Sequence, residues 1–259
     1  MTRAPRVIRA SRLLLVATLL LMPARARGAG VPCNDCCQVA CVEAEIRYAR
    51  KMQQWYAGQA EIRGLTRETY EKNEKAKADE LSLERAKDVG RVPACKWNLP
   101  DPRNPQGAIA IRAWSHLGWS VKEDDKGNLK YDFSLKANTE NCTLNTDQIK
   151  SYHELAPCSG MADAAETHEK VHVAWCHALK GRKPSMTEIA QNEVKAYDEE
   201  LKELNALRDS LAKICLTKTC KDKDAQFAES RLEKELEELN EQIRIREMKD
   251  HSPTKGGKK

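Results

Sequence analysis

The chain has 259 residues, 32% of them charged and only 5% aromatic, with ten cysteines and a formal net charge of +5. Five of its 44 basic residues, Arg3, Arg6, Arg9, Arg12 and Arg25, precede position 27 and none of its 39 acidic residues does, so 39 bases face 39 acids thereafter. A neutral remainder excludes an electrostatic case for a nucleic-acid partner, and the apolar run Leu13 to Met22 is about half of the ~20 residues that cross a bilayer as a helix.

The arginines, that apolar run and the small-residue stretch Ala24-Arg25-Ala26 match a secretory signal peptide over 1–26, cleaved after Ala26. The expected compartment is secreted or periplasmic, with no membrane span in the mature protein. An even set of cysteines in an exported chain is explained by disulfides, so Cys33, Cys36, Cys37, Cys41, Cys95, Cys142, Cys158, Cys176, Cys215 and Cys220 are all disulfide candidates. Spacing does not reveal their pairing.

Residues 27–90 form a cysteine-rich helical region. From Cys33 to Val89 there is no proline, and Gly58 and Gly64 are the only interior breakers, which predicts a long helix or a helical hairpin. Cys33, Cys37 and Cys41 recur every four residues and would then share one helix face, with Cys36 beside them. Such a cluster could hold a structural metal, but the spacing is not a pair of C-x-x-C knuckles and the compartment is oxidising, so bridges are the expectation.

The composition changes near residue 90, with prolines at 93, 100, 102 and 105. Trp119-Ser120-Val121 and Leu129 to Leu135 flank a polar turn from Glu123 to Asn128, and Tyr131, Phe133 and Leu135 alternate with polar neighbours, which predicts a β-hairpin. Asn141-Cys142-Thr143 fits a glycosylation sequon. A helix is predicted from Met161 to Leu179, ended by Lys180-Gly181-Arg182-Lys183-Pro184. The next begins with Ser185 as N-cap and Glu188 three residues on, a capping box, and runs through Leu201, Leu204, Leu207 and Leu211 towards Cys215. Over 221–252, Leu232, Leu236, Leu239 and Ile243 recur at alternating steps of four and three. This amphipathic stripe would pack on the body or the N-terminal helices, or serve a helical partner or self-association. Residues 253–259 are expected to be a disordered tail.

His168-Glu169-Lys170-Val171-His172 is H-E-x-x-H inside the predicted helix 161–179. Histidines four apart lie one above the other on a helix, so both imidazoles can reach one ion, and the glutamate can touch a water on it. A catalytic zinc takes three protein ligands and keeps a position for water, and Glu193 is the candidate third. It follows His172 by 21 residues, across the loop ended by Pro184, and falls on the apolar face near Ile189, Ala190, Tyr197 and Leu204. A carboxylate there is costly to bury without a partner, and a dication is a good one. Glu188, its competitor, already has the capping role.

These residues resemble the zincin metallopeptidases, and among them the gluzincins, whose motif helix is followed by a helix supplying a glutamate. Asn192-Glu193 with a following acid is similar to the Asn-Glu-x-x-x-Asp segment of thermolysin-like members, with Tyr197 where they carry the acid and Asp198 one residue later. The metzincin pattern fits worse, because His177 comes one residue early and Trp175 stands where that pattern needs glycine. The resemblance covers roughly 161–200 and, more loosely, the hairpin, and places a catalytic domain at 91–220. It implies a mainly helical α+β fold with a zincin-like core between long terminal helices, stapled by disulfides. It further implies one catalytic Zn²⁺ on His168, His172 and Glu193, Glu169 as general base, and a peptide or protein substrate. Transition-state donors come from Tyr197, His153, Tyr152 and His177, with Tyr197 and His153 foremost. Cys158 and Cys176 flank the motif helix and would fix it against the sheet or the N-terminal helices. Two alternatives remain open: a disulfide-stapled helical binding or scaffold protein whose motif is not catalytic, and, within enzymes, a cell-wall peptide hydrolase or toxin-like effector.

Overall fold

The computed structural model describes residues 31–99, 101, 103–106, 119–133, 135–138 and 140–250. The expected signal segment 1–26 and tail 253–259 lie outside the described residues. The Ala-, Glu- and Lys-rich stretch after Cys33 forms a helical hairpin: α1 spans Val39–Ala60 and α2 spans Arg67–Val89. The chain reverses between them where Gly64 takes a φ of 71°, a left-handed conformation that glycine adopts without steric cost. Thr66 then caps α2, accepting from the Thr69 amide. Gly58 does not break α1, since the helix continues for two residues beyond it.

The expectation of one cysteine-lined helix face is corrected. Asp35 and Gln38 cap each other across a 3-10 turn, Cys36–Gln38, so α1 starts only at Val39 and carries Cys41 alone. The four cysteines diverge to four partners: Cys33 to Cys158, Cys36 to Cys215, Cys37 to Cys220 and Cys41 to Cys95. The fifth bridge joins Cys142 to Cys176, and no cysteine is left free. Bridges 125, 179 and 183 residues apart in sequence close very long loops, each of which, taken alone, removes about 5 kcal/mol of unfolded-chain entropy in the loop-closure account.

After α2 a short 3-10 turn, Pro93–Cys95, leads to the hairpin. Strands β1 (Trp119–Glu123) and β2 (Leu129–Phe133) are antiparallel, with Trp119 opposite Phe133 and Glu123 opposite Leu129. Leu135 lies beyond the paired region. Asp124 builds the turn, accepting from the Lys126 and Asn128 amides. A helix the sequence reading did not anticipate, α3 (Thr146–Leu155), follows with Asn145 as its N-cap. The motif helix α4 spans Ser159–Leu179, two residues longer at its start than predicted, and stops where Lys180 and Gly181 turn left-handed at φ 50° and 81°. Then α5 runs Met186–Cys215 with the predicted Ser185 and Glu188 capping box, and α6 runs Lys223–Asp250. Helix dominates, and among the described residues the two strands form one two-stranded sheet, with an isolated bridge between Asn138 and Thr143. No helix of the described residues is long and apolar enough to cross a membrane.

Helix α1 lies at the centre, packed on α5, α2 and α6. Val42, Ala44, Ile46, Ala49 and Met52 of α1 are buried with Leu81 of α2, Leu204 and Leu211 of α5, and Leu232 and Leu236 of α6. Each large side chain fully removed from water there contributes about 1.5–3 kcal/mol. The stripe on α6 thus packs on the N-terminal helices, and one core runs through residues from Cys36 to Leu236. A helix covered on several sides also buries charge, and each buried charge needs a partner. Glu45 accepts two bonds from Arg85 at 2.6 and 2.7 Å, and Arg47 pairs with Asp88 of α2 and Glu235 of α6. The motif helix is held at both ends, because Cys158 is its N-cap and Cys176 lies in its last turn.

Candidate metal centre

Helices α4 and α5 pack side by side, and their facing residues bring the candidate ligands together. His168 Nε2 lies 3.5 Å from Glu193 Oε2, and His172 Nε2 lies 3.5 Å from Glu193 Oε1, so the carboxylate is shared between two rings. The three ligand atoms lie within 4.8 Å of one another. Two ligands bound at about 2.0–2.1 Å to one tetrahedral ion stand roughly 3.3 Å apart, whereas a direct charge-assisted hydrogen bond draws N and O to about 2.7–2.9 Å. The observed 3.5 Å lies nearer the first spacing than the second.

The second nitrogen of each ring is also engaged. His168 Nδ1 lies 2.8 Å from Glu200 Oε2 and His172 Nδ1 lies 2.6 Å from Asn192 Oδ1. An acceptor at Nδ1 places the proton there, leaves the Nε2 lone pair for a metal, and fixes the ring plane. Without a metal, burial disfavours the charged ring of His168, but the Glu193 and Glu200 carboxylates outweigh it and hold the imidazolium up to about 10. Burial likewise opposes ionisation of Glu193, and the two histidines overcome it, pulling that carboxyl down to about 2. In the absence of metal these side chains thus hold positive charge as protons on the rings, balanced by the two carboxylates.

Glu169 is buried, one residue on from His168, and its Oε2 accepts from the Ala137 amide at 2.6 Å in the segment after β2. Burial, outweighing the nearby histidines, raises its carboxyl above the ordinary range. Such a group exchanges a proton more readily near neutrality than an exposed glutamate does.

The remaining candidates sit as follows. Tyr197 is buried, stacked on Tyr56 at 5.7 Å, with His168 edge-on to it at 4.5 Å, so it walls the ligand ring. His153, on α3, is buried with Nε2 at 3.2 Å from Glu166 Oε2, two residues before the motif. Tyr152 stacks on Phe133 and meets the edge of Trp97, in the aromatic cluster beside the hairpin. His177 is exposed. Glu188 holds Ser185 and Arg182 at the start of α5. Asp198 is exposed and pairs with Lys202, away from the ligand rings.

The acid that orients His168 is therefore Glu200, which sequence reasoning missed. The signal was present: Glu200 is seven residues after Glu193, two helical turns, and so on the same face, whereas Asp198 at five is rotated well off it. Comparison of the chain with protein-family models, with curated proteins and with solved structures finds no match.

Proposed function

We propose that this chain is an exported zinc-dependent metallopeptidase of the gluzincin type, with His168, His172 and Glu193 as ligands and Glu169 as general base. The observation that carries the reading is the double engagement of both rings: each Nε2 faces one oxygen of Glu193 at 3.5 Å while each Nδ1 is held by an acceptor behind it. Five disulfides fit maturation in an oxidising compartment, which supports a secreted or periplasmic location.

A zinc ion held there supplies a Lewis acid for the scissile carbonyl and lowers the pKa of a water towards ~7. Glu169 accepts the proton of the attacking water and delivers it to the leaving nitrogen. The Ala137 amide steadies one of its oxygens and leaves the other for that proton. Glu200 and Asn192 keep the ligand rings in register, and Tyr197 and the disulfides at both ends of α4 keep the helices from sliding. Peptide or protein is the substrate class.

Zinc content of the oxidised protein tests the reading, measured in parallel for His168→Ala and Glu193→Ala. One zinc per chain, lost in both variants while helical content persists, is expected. Absence of zinc from the parent after loading would leave a disulfide-stapled helical binding protein as the better account.

A further inference from the structure

Helix α2, residues 95–97 and the β-hairpin line a cavity of about 830 Å³ that contains none of the candidate ligands. Part of its wall is aromatic: Phe133 stacks on Trp119 at 4.2 Å and on Tyr152 at 5.2 Å. Leu83 of α2 lines it too and is 56% exposed, a large apolar side chain left to water. An accessible hollow of this size, with an apolar lining and a few charged groups, has the form of a binding site.

The charges around it are one-sided, with five cationic side chains against three acids. Glu45 is held by Arg85, Asp79 is paired with Lys75 at 3.0 Å, and both oxygens of Asp124 are taken up by the hairpin turn. Lys122 and Lys130 have no carboxylate partner among the described residues. The strand register sets these two lysines directly opposite each other across β1 and β2. Like charges so placed oppose strand pairing, and a hairpin that needed only to fold would be better served by an acid at one of them. A carboxylate resting on both ammonium groups removes the repulsion.

Geometry sets this cavity close to the candidate metal centre. Met161 lines it and precedes His168 by seven residues on α4. Seven residues are two helical turns, so the two side chains share a face about 10 Å apart along the axis. On the other side, Phe133 ends β2, and four residues later the Ala137 amide binds Glu169. A span of about 10 Å is three residues of extended chain.

We infer that this cavity is an exosite for the peptide substrate, taking a bulky apolar side chain roughly three residues from the scissile bond while neighbouring carboxylates rest on Lys122 and Lys130. The substrate class is thereby narrowed to acidic peptides that carry an aromatic or large aliphatic residue. The inference rests on the metallopeptidase reading and deepens it, because α2, which the resemblance to gluzincins does not cover, becomes a wall of the substrate site.

The test uses the full, disulfide-intact protein and titration calorimetry with three blocked peptides: acetyl-Glu-Glu-Phe-Glu-Glu-amide, the same peptide with lysine for each glutamate, and the same peptide with glycine for phenylalanine. The first is expected to bind, and the other two roughly tenfold more weakly or not at all. Lys130→Glu, which turns the opposed lysines into an ion pair, should melt no lower than the parent and bind the first peptide roughly tenfold more weakly. Leu83→Ser, at an exposed position, should keep its melting temperature and lose affinity severalfold. The first peptide should bind equally well to His168→Ala. Loss of binding in His168→Ala overturns the exosite, since the metal centre rather than the cavity then holds the peptide. Unchanged affinity in Lys130→Glu and Leu83→Ser, equal binding of the lysine peptide, or no binding of the first peptide to zinc-loaded parent overturns it and leaves the metal centre standing. Tighter binding to phosphatidylglycerol vesicles than to the peptide overturns it and makes this face a lipid contact. A parent that takes up no zinc yet binds the first peptide through Lys130 and Leu83 supports the peptide site and removes the metallopeptidase reading alone.

Discussion

Two groups of one kind each draw two side chains from the motif helix, and they differ in what stands behind them. His168, His172 and Glu193 form one; His153, Asp163 and Glu166 form the other, and each set has ligand atoms within 4.8 Å. In the first, both rings are oriented through Nδ1 and, among the described residues, the shared carboxylate has no lysine or arginine bonded to it. In the second, Nδ1 of His153 is buried without a partner among the described residues, and Lys170 binds Glu166 at 2.9 Å, already supplying a cation. Proximity of donors is thus shared by both, and only the first has the outer hydrogen bonds that prepare a ring for metal.

The largest effect that sharpens this contrast is on turnover. Glu169→Gln should lower peptide hydrolysis by roughly 10²–10⁴-fold with zinc unchanged, because the proton acceptor is lost and the ligands are not. His153→Ala should leave zinc at one per chain; a halved metal content in that variant would break the distinction between the groups. Next in size is the outer support. Glu200→Gln should weaken zinc affinity about 10–100-fold in a competitive chelator titration, while Glu166→Gln leaves it unchanged. Equal affinities in Glu200→Gln and parent would remove Glu200 from the site.

The smallest effect is on pH dependence. In the metal-free protein His168 is raised from 6.5 to about 10, so the stability it contributes is complete below 6.5 and is lost as pH rises through about 10. Glu193 is lowered from 4.5 to about 2, so its contribution is complete above 4.5 and is lost as pH falls towards about 2. The pair therefore stabilises the metal-free fold most between 4.5 and 6.5. Zinc must displace those protons, so its stabilisation grows as pH rises past that window. Melting with and without chelator on either side of pH 6.5 should show the gap widening with pH, and a constant gap would mean that zinc does not compete with protons at these rings.

Much of the helical skeleton was legible in the chain itself. The hairpin of α1 and α2, the stop at Lys180 and Gly181, the Ser185 cap and the strand alternation around Tyr131 are local events, decided by capping, periodicity and turn chemistry within a few residues. The meeting of the two histidines was legible for the same reason, since spacing four on a helix is a local property. Less was available where a partner lies far away in sequence. The cysteine pairings depend on which segments α1 touches, and the start of α1 at Val39 scattered cysteines that a continuous helix would have aligned. Helix α3 was not anticipated in a stretch read for its hairpin and sequon.

The sequence by itself thus determined most of the long helices and the hairpin, the H-E-x-x-H helix among them, and the apolar face on which Glu193 sits. Tertiary structure alone decided that Glu200 rather than Asp198 stands behind His168, and that Cys33 and Cys142 anchor the two ends of the motif helix. The physical reason is that local rules choose a residue's conformation, whereas a buried polar group finds its partner only when separate helices pack and exclude water around it.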